Sequence, residues 1–104
     1  MGKAYNYKCD NCGYSAIVSG GRDFGFVAVV KTMICEDCKN LVDVLIGRHG
    51  KDGATGDIEY DRKLNICPIC AGKNLKAWPT NHTCPRCSAN MIRSRNGSDV
   101  ILWD

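Results

Sequence analysis

The 104-residue sequence lacks any apolar run long enough to cross a bilayer as a helix, which takes about 20 mostly apolar residues. Its opening residues, MGKAYNYKC, also lack the apolar stretch of a secretory signal peptide. A reducing cytoplasmic location is therefore the expectation, with no membrane partner.

Catalytic motifs are missing as well. The sequence contains no Ser/His/Asp arrangement, phosphate-binding glycine loop or HExxH motif. Asp57, Glu59 and Asp61 are closely spaced carboxylates, but they lie between two cysteine-rich segments, where a solvated linker is the simpler interpretation. We therefore predict that the protein is not an enzyme and has no small-molecule substrate.

No cysteine stands outside a Cys-x-x-Cys pair. The four pairs form the pattern CDNC-x22-CEDC followed by CPIC-x13-CPRC. Two thiolates on one tight turn can occupy two corners of a metal tetrahedron. A disulfide within one pair is unfavourable, because the two-residue loop constrains its geometry. Metal binding is therefore preferred over structural disulfides or thiol redox chemistry. The predicted ligands are Cys9, Cys12, Cys35, Cys38, Cys67, Cys70, Cys84 and Cys87.

Aromatic and β-branched segments predict a β-rich chain. Short strands are expected over residues 24–34, 41–47, 73–78 and 100–103, with a turn at residues 79–82, although the apolar residues over 41–47 would also line a short helix. The segment GRHGKDGATG has four glycines and no proline, which excludes collagen and favours a flexible linker or an exposed hairpin loop. The predicted units are residues 1–47, a glycine-rich linker or loop over 48–57, and residues 58–104.

The tandem Cys-x-x-Cys pattern resembles that of a double zinc ribbon, a small metal-bound β fold of the rubredoxin-like family. The resemblance implies two tandem ribbons of short antiparallel strands, each with two metal-binding turns, or knuckles. Carried over by position, Cys9, Cys12, Cys35 and Cys38 would form one site, and the last four cysteines the other. Crossed pairing, which resembles the cysteine-rich domains of chaperones, is the alternative. Ribbon knuckles usually have glycine after the second cysteine, and here only Gly13 fits.

The donor set limits the choice of metal. Four thiolates suit Zn²⁺ or a single iron, and a site with four protein ligands leaves no open position for substrate. Two structural Zn²⁺ ions are therefore expected. Iron would instead make a rubredoxin-like electron carrier, but CEDCK lacks the proline and glycine typical of the second rubredoxin knuckle.

Acidic residues are absent from residues 62–98, which contain seven Lys and Arg. Two zinc sites, each of charge −2, would take the formal net charge of +3 to about −1. Even so, the second unit stays basic and predicts nucleic-acid binding. The possible contacts are Lys73, Lys76, Trp78, Arg86, Arg93 and Arg95.

Two other interpretations remain open for the charged residues. The basic segment could be a solvated face with Trp78 in a small core. The acidic first unit, with Asp10, Glu36 and Asp37 inside its knuckles, could instead dock a partner protein. His49 and His82 are expected on the surface, because the cysteines already complete two sets of four.

Overall fold

The computed structural model describes residues 2–25, 27–93 and 101–103. In this part of the chain the protein is β-rich, as predicted, and has almost no helix. The strands are β1 (Gly2–Lys8), β2 (Ser15–Val18), β3 (Arg22–Phe24), β4 (Ala28–Cys35), β5 (Asn40–Arg48), β6 (Lys51–Asp52), β7 (Leu75–Ala77), β8 (Ile92–Arg93) and β9 (Ile101–Trp103). One short helix, α1 (Ile58–Asp61), follows β6.

The strands form two antiparallel sheets, and each sheet uses strands from both halves of the sequence. In the first sheet, β1 pairs with β2 and, from the second half, with β8 and β9. In the second, β3, β4, β5 and β6 lie in order, and β7 pairs with the end of β4. The predicted closing strand is confirmed as β9. The boundaries proposed for two separate units stay a prediction.

The long hairpin of β4 and β5 is the centre of the second sheet. Several of its β-branched residues, including Val29, Val42 and Val44, are buried, which agrees with the preference of such side chains for half-buried pleated surfaces. The predicted strand over 24–34 starts too early. Phe24 ends β3, and the Gly25 amide donates to the Ala28 carbonyl at 3.0 Å, closing a turn before β4.

The glycine-rich segment forms a hairpin, one of the two predicted alternatives. His49 and Gly50 both have positive φ angles, 52° and 76°, and connect β5 to β6, as a tight two-residue hairpin turn requires. Further on, the Asp61 carboxylate accepts hydrogen bonds from the amides of Thr55 and Gly56. These amide hydrogen bonds, from Thr55 first, hold the pKa of Asp61 below its usual value.

A polar network joins the two sheets. The Asp43 carboxylate accepts from the Thr32 hydroxyl at 2.6 Å and from the Ser19 amide at 2.8 Å. Thr32, only 1% exposed, also accepts from the Gly20 amide at 2.9 Å. Burial raises the pKa of Asp43, although these hydrogen bonds oppose the rise. Since β4 and β5 supply Thr32 and Asp43 while the segment after β2 supplies Ser19, the network fixes one sheet against the other.

No helix in the described part of the chain is long and apolar enough to cross a membrane.

We predict that Thr32→Val lowers the free energy of unfolding by about 1–3 kcal/mol, because it leaves the Gly20 amide without its partner and removes one of the two hydroxyl donors to Asp43 Oδ1. Chemical denaturation of the metal-loaded protein measures the change. Thr80→Val, at an exposed position, is the control and should stay within about 0.5 kcal/mol of the parent. Equal effects of the two substitutions would contradict the role given to the network.

Candidate metal centres

The eight cysteines come together as two tetrads. The outer tetrad contains Cys9, Cys12, Cys84 and Cys87, and the inner tetrad contains Cys35, Cys38, Cys67 and Cys70. Within each tetrad all four sulfur atoms lie within 4.8 Å of one another. The linear pairing predicted from the zinc-ribbon resemblance is therefore wrong, and the crossed arrangement is the one observed.

Two short strand pairings explain the crossed arrangement. β8 follows the last knuckle and pairs with the end of β1, so that Ile92 lies opposite Lys8, directly before Cys9. This pairing places the fourth knuckle beside the first. β7 follows the third knuckle and pairs with the end of β4, with Leu75 opposite Cys35. This second pairing places the third knuckle beside the second.

The sulfur spacing fits a tetrahedral metal site. Across the outer tetrad, the Sγ atoms of Cys9 and Cys87 are 3.3 Å apart and those of Cys12 and Cys84 are 3.7 Å apart. The corresponding distances in the inner tetrad are 3.6 and 3.7 Å. A tetrahedron with metal–sulfur bonds of ~2.3 Å has edges of about 3.8 Å. Both tetrads can therefore hold a metal ion with little adjustment.

The knuckles are closed by the same backbone hydrogen bonds. The Cys9 amide donates to the Tyr14 carbonyl at 2.8 Å, and the Cys67 and Cys84 amides make the equivalent bonds to Gly72 and Ala89 at 2.9 and 2.6 Å. In the two proline-containing knuckles, an amide two residues later donates to the first cysteine sulfur at 3.4 Å. Such amide–sulfur bonds favour the thiolate form that a metal requires.

A left-handed residue follows the second cysteine of every knuckle. These residues are Gly13, Lys39, Ala71 and Ser88, with φ angles of 81°, 54°, 60° and 67°. The sequence departs from glycine at three of these positions, yet the turn geometry is preserved. For non-glycine residues this conformation costs roughly 1–2 kcal/mol each.

Each tetrad is embedded in a hydrophobic cluster through the first cysteine of each of its two knuckles. Cys9 and Cys84 are buried with Tyr7, Val18 and other apolar side chains, whereas Cys35 and Cys67 are buried with Val42 and Val44. The second cysteines are more accessible, and Cys12 and Cys70 are exposed. Each candidate metal site is therefore part of a core cluster.

The thiols of the outer tetrad differ in acidity. A hydrogen bond from the Asn11 side chain, followed by the Ala89 backbone, lowers the pKa of Cys87 to about 6. For Cys12, the Tyr14 backbone hydrogen bond is the largest single effect and lowers the pKa. Burial and the neighbouring sulfurs together outweigh it, and the pKa of Cys12 rises to about 12. A metal ion entering this tetrad must therefore displace protons.

The residues predicted to contact nucleic acid do not all share one environment. Lys73, Lys76, Arg86 and Arg93 are exposed, and Arg95 lies outside the described residues. Trp78 is half-buried against the outer core: its indole Nε1 donates to the Thr83 carbonyl at 2.9 Å, and its ring stacks on His82 with centroids 4.1 Å apart. This packing matches the alternative that placed Trp78 in a small core.

Two of the exposed arginines are held over tyrosine rings. The Arg86 guanidinium lies 4.7 Å from the Tyr14 ring centroid, and that of Arg93 lies 4.5 Å from the Tyr5 centroid. Arg86 also donates to the Lys39 carbonyl at 3.3 Å and to the Asn40 side chain at 3.0 Å. Lys39 and Tyr14 were not among the contacts predicted from the sequence. The only signal for Lys39 was its place after Cys38, where glycine is usual.

No known family model matches the chain, and no curated protein or solved structure matches it either. The fold and the tetrads define a small β-rich protein with two groups of four cysteines that are able to bind metal.

Paired cysteine substitutions distinguish the crossed from the linear arrangement. We expect Cys12→Ser with Cys87→Ser to leave one metal ion bound per chain, because both residues belong to the outer tetrad. Cys12→Ser with Cys38→Ser should damage both sites. Elemental analysis after gel filtration measures the ratio of metal to protein. Linear pairing would give the reverse result for the two double variants.

Proposed function

We propose that the protein is a non-catalytic binding module whose two tetrads hold Zn²⁺ and whose basic surface binds nucleic acid. The observation that carries the proposal is the exposure of four cations of the second half, of which Arg86 and Arg93 are fixed over tyrosine rings. Cations held in place lose less side-chain entropy when a phosphate binds. Trp78 does not enter this argument, because its packing explains its position.

The proposed role of zinc is to hold the fold. Four thiolates and no other protein ligand leave no open position for a water molecule or a substrate, which supports a structural role and the absence of catalysis. Zinc binding by such sites contributes folding free energy on the order of 10 kcal/mol. A chain whose described core is divided between two small clusters depends on that contribution.

Metal content and the visible spectrum test the first part of the proposal. Protein purified without added metal should contain two zinc ions per chain and be colourless, because Zn²⁺ has a filled d shell. A strong chelator should then unfold it, which circular dichroism would detect. Red protein with bound iron, in the native host as well as after overexpression, would instead support the rubredoxin-like electron carrier.

Nucleic-acid binding is tested by a matched pair of quadruple variants. Replacing Lys73, Lys76, Arg86 and Arg93 by Gln should weaken binding to oligonucleotides of every sequence. The same change should make the plot of log association constant against log salt concentration shallower, with the slope falling in magnitude by up to about one for each phosphate that is no longer neutralised. Fluorescence anisotropy at several salt concentrations measures both.

The control variant replaces Lys3, Lys8, Lys31 and Lys51, four other exposed lysines, by Gln. It changes the net charge by the same amount and should retain most of the affinity. If both variants lose binding equally, only the total charge matters. If neither loses it, the proposed basic surface is wrong.

A protein partner is the second candidate, and one observation favours it. Ile17 and Ile92, 55% and 56% exposed, lie opposite Asn6 and Lys8 on the same face of the first sheet. Exposed apolar side chains on one face are typical of contact surfaces when they are contiguous. The acidic knuckle residues contribute less, because Asp37 accepts from the Asn74 side chain at 3.0 Å and Glu36 lies 3.9 Å from Lys76.

A further inference from the structure

A groove of about 350 Å³ separates the second knuckle from the fourth. One cysteine of each tetrad, Cys35 and Cys84, lies at its base. Its polar side chains come from the two knuckles and from the segments beside them: Glu36, Lys39, Lys76, Thr83 and Ser88. The groove therefore combines two ammonium groups and two hydroxyls with a single carboxylate.

The strained knuckle positions supply part of this lining. Lys39 and Ser88, both left-handed, line the groove. The other two left-handed knuckle positions hold Gly13 and Ala71, which carry no polar side chain and do not line it. Glycine would remove the backbone strain at positions 39 and 88, as it would at Ala71, so a glycine substitution there removes the side chain without straining the backbone.

We propose that this groove binds the phosphodiester backbone of a single-stranded nucleic acid. Lys39 and Lys76 pair with phosphate, and the Ser88 hydroxyl donates a hydrogen bond to it. This inference rests on the nucleic-acid binding proposed above and assigns the place where a strand is held. It adds Lys39 and Ser88 to the contact residues and makes the site a joint product of both halves of the chain.

The backbone beneath the groove argues against a peptide. Ile34 and Cys35 of β4 line it, and both are already paired with β5 on one side and with β7 on the other. These two residues of β4 therefore offer no free edge for an extended peptide to join, which is the usual source of affinity when a peptide binds a sheet. Recognition must come from side chains, and ammonium and hydroxyl groups suit phosphate oxygens.

Among the side chains outside the tetrads, the groove and its edge carry more positive than negative charge. Arg86, which donates to the Lys39 carbonyl, adds a third cation next to Lys39 and Lys76. The opposing group is Glu36, whose carboxylate is 3.9 Å from the Lys76 ammonium, with both side chains 57% exposed. An exposed ion pair at this distance is weak, so phosphate can compete for Lys76. Glu36→Gln should accordingly strengthen binding.

The test uses glycine substitutions in the metal-loaded full chain. Lys39→Gly, Ser88→Gly and the control Ala71→Gly all relieve a positive φ angle and should all raise the midpoint of thermal unfolding. Only Lys39→Gly and Ser88→Gly should weaken binding of a mixed-sequence single-stranded oligonucleotide in fluorescence anisotropy. We expect about a tenfold loss of affinity for Lys39→Gly, and a slope of log association constant against log salt concentration that is smaller in magnitude by about one.

The possible results separate the groove from the proposed function. Weaker binding with Lys39→Gly, unchanged affinity with Ala71→Gly and tighter binding with Glu36→Gln would support the groove. Unchanged affinity in the Lys39→Gly and Ser88→Gly variants, with binding abolished in the quadruple Gln variant, would overturn the groove and leave the proposed function standing. Absence of any binding by the parent protein would overturn both. Preference for a duplex, or for an acidic peptide that depends on Lys39, would overturn the assigned occupant.

Discussion

Two short strand pairings determine the rest of the structure. β8 is two residues long and β7 is three, and strands of this length are not stable by themselves. Nevertheless, β7 places the third knuckle beside the second, and β8 places the fourth knuckle beside the first. The tetrads in turn hold these strands in place, because their buried cysteines belong to both core clusters. Strand pairing and sulfur clustering therefore support each other.

The crossed arrangement nests one site inside the other along the chain. The inner tetrad joins residues within 35–70, whereas the outer tetrad joins residues across 9–87. The entropy cost of closing a loop rises with its length. The inner tetrad closes the shorter loop and therefore costs less entropy to form. Its closure also shortens the path that the outer tetrad must span. The Ser19, Thr32 and Asp43 network then fixes the sheet of the outer site against the sheet of the inner one.

The sequence predicts what is local and misses what is long-range. Cysteine spacing identified all the members of the two tetrads, and alternating apolar residues identified β5. The pairing of the knuckles could not be predicted in the same way, because it depends on β8, whose Ile92 and Arg93 are both exposed and show no periodicity. The packing of Trp78 could not be predicted from the sequence either. A tryptophan among basic residues has the same sequence pattern whether it stacks on a base or, as here, on His82.

The nested topology has a consequence for the proposed groove. Its two walls belong to different tetrads, since Lys39 follows a cysteine of the inner site and Ser88 follows a cysteine of the outer one. If each ion holds its own knuckles, the groove exists only when both are bound. Arg86 strengthens this connection, because it extends from the fourth knuckle to the Lys39 carbonyl and to Tyr14. On this view the metals create no reactive centre, and they contribute to binding by holding cations from the two halves in one place.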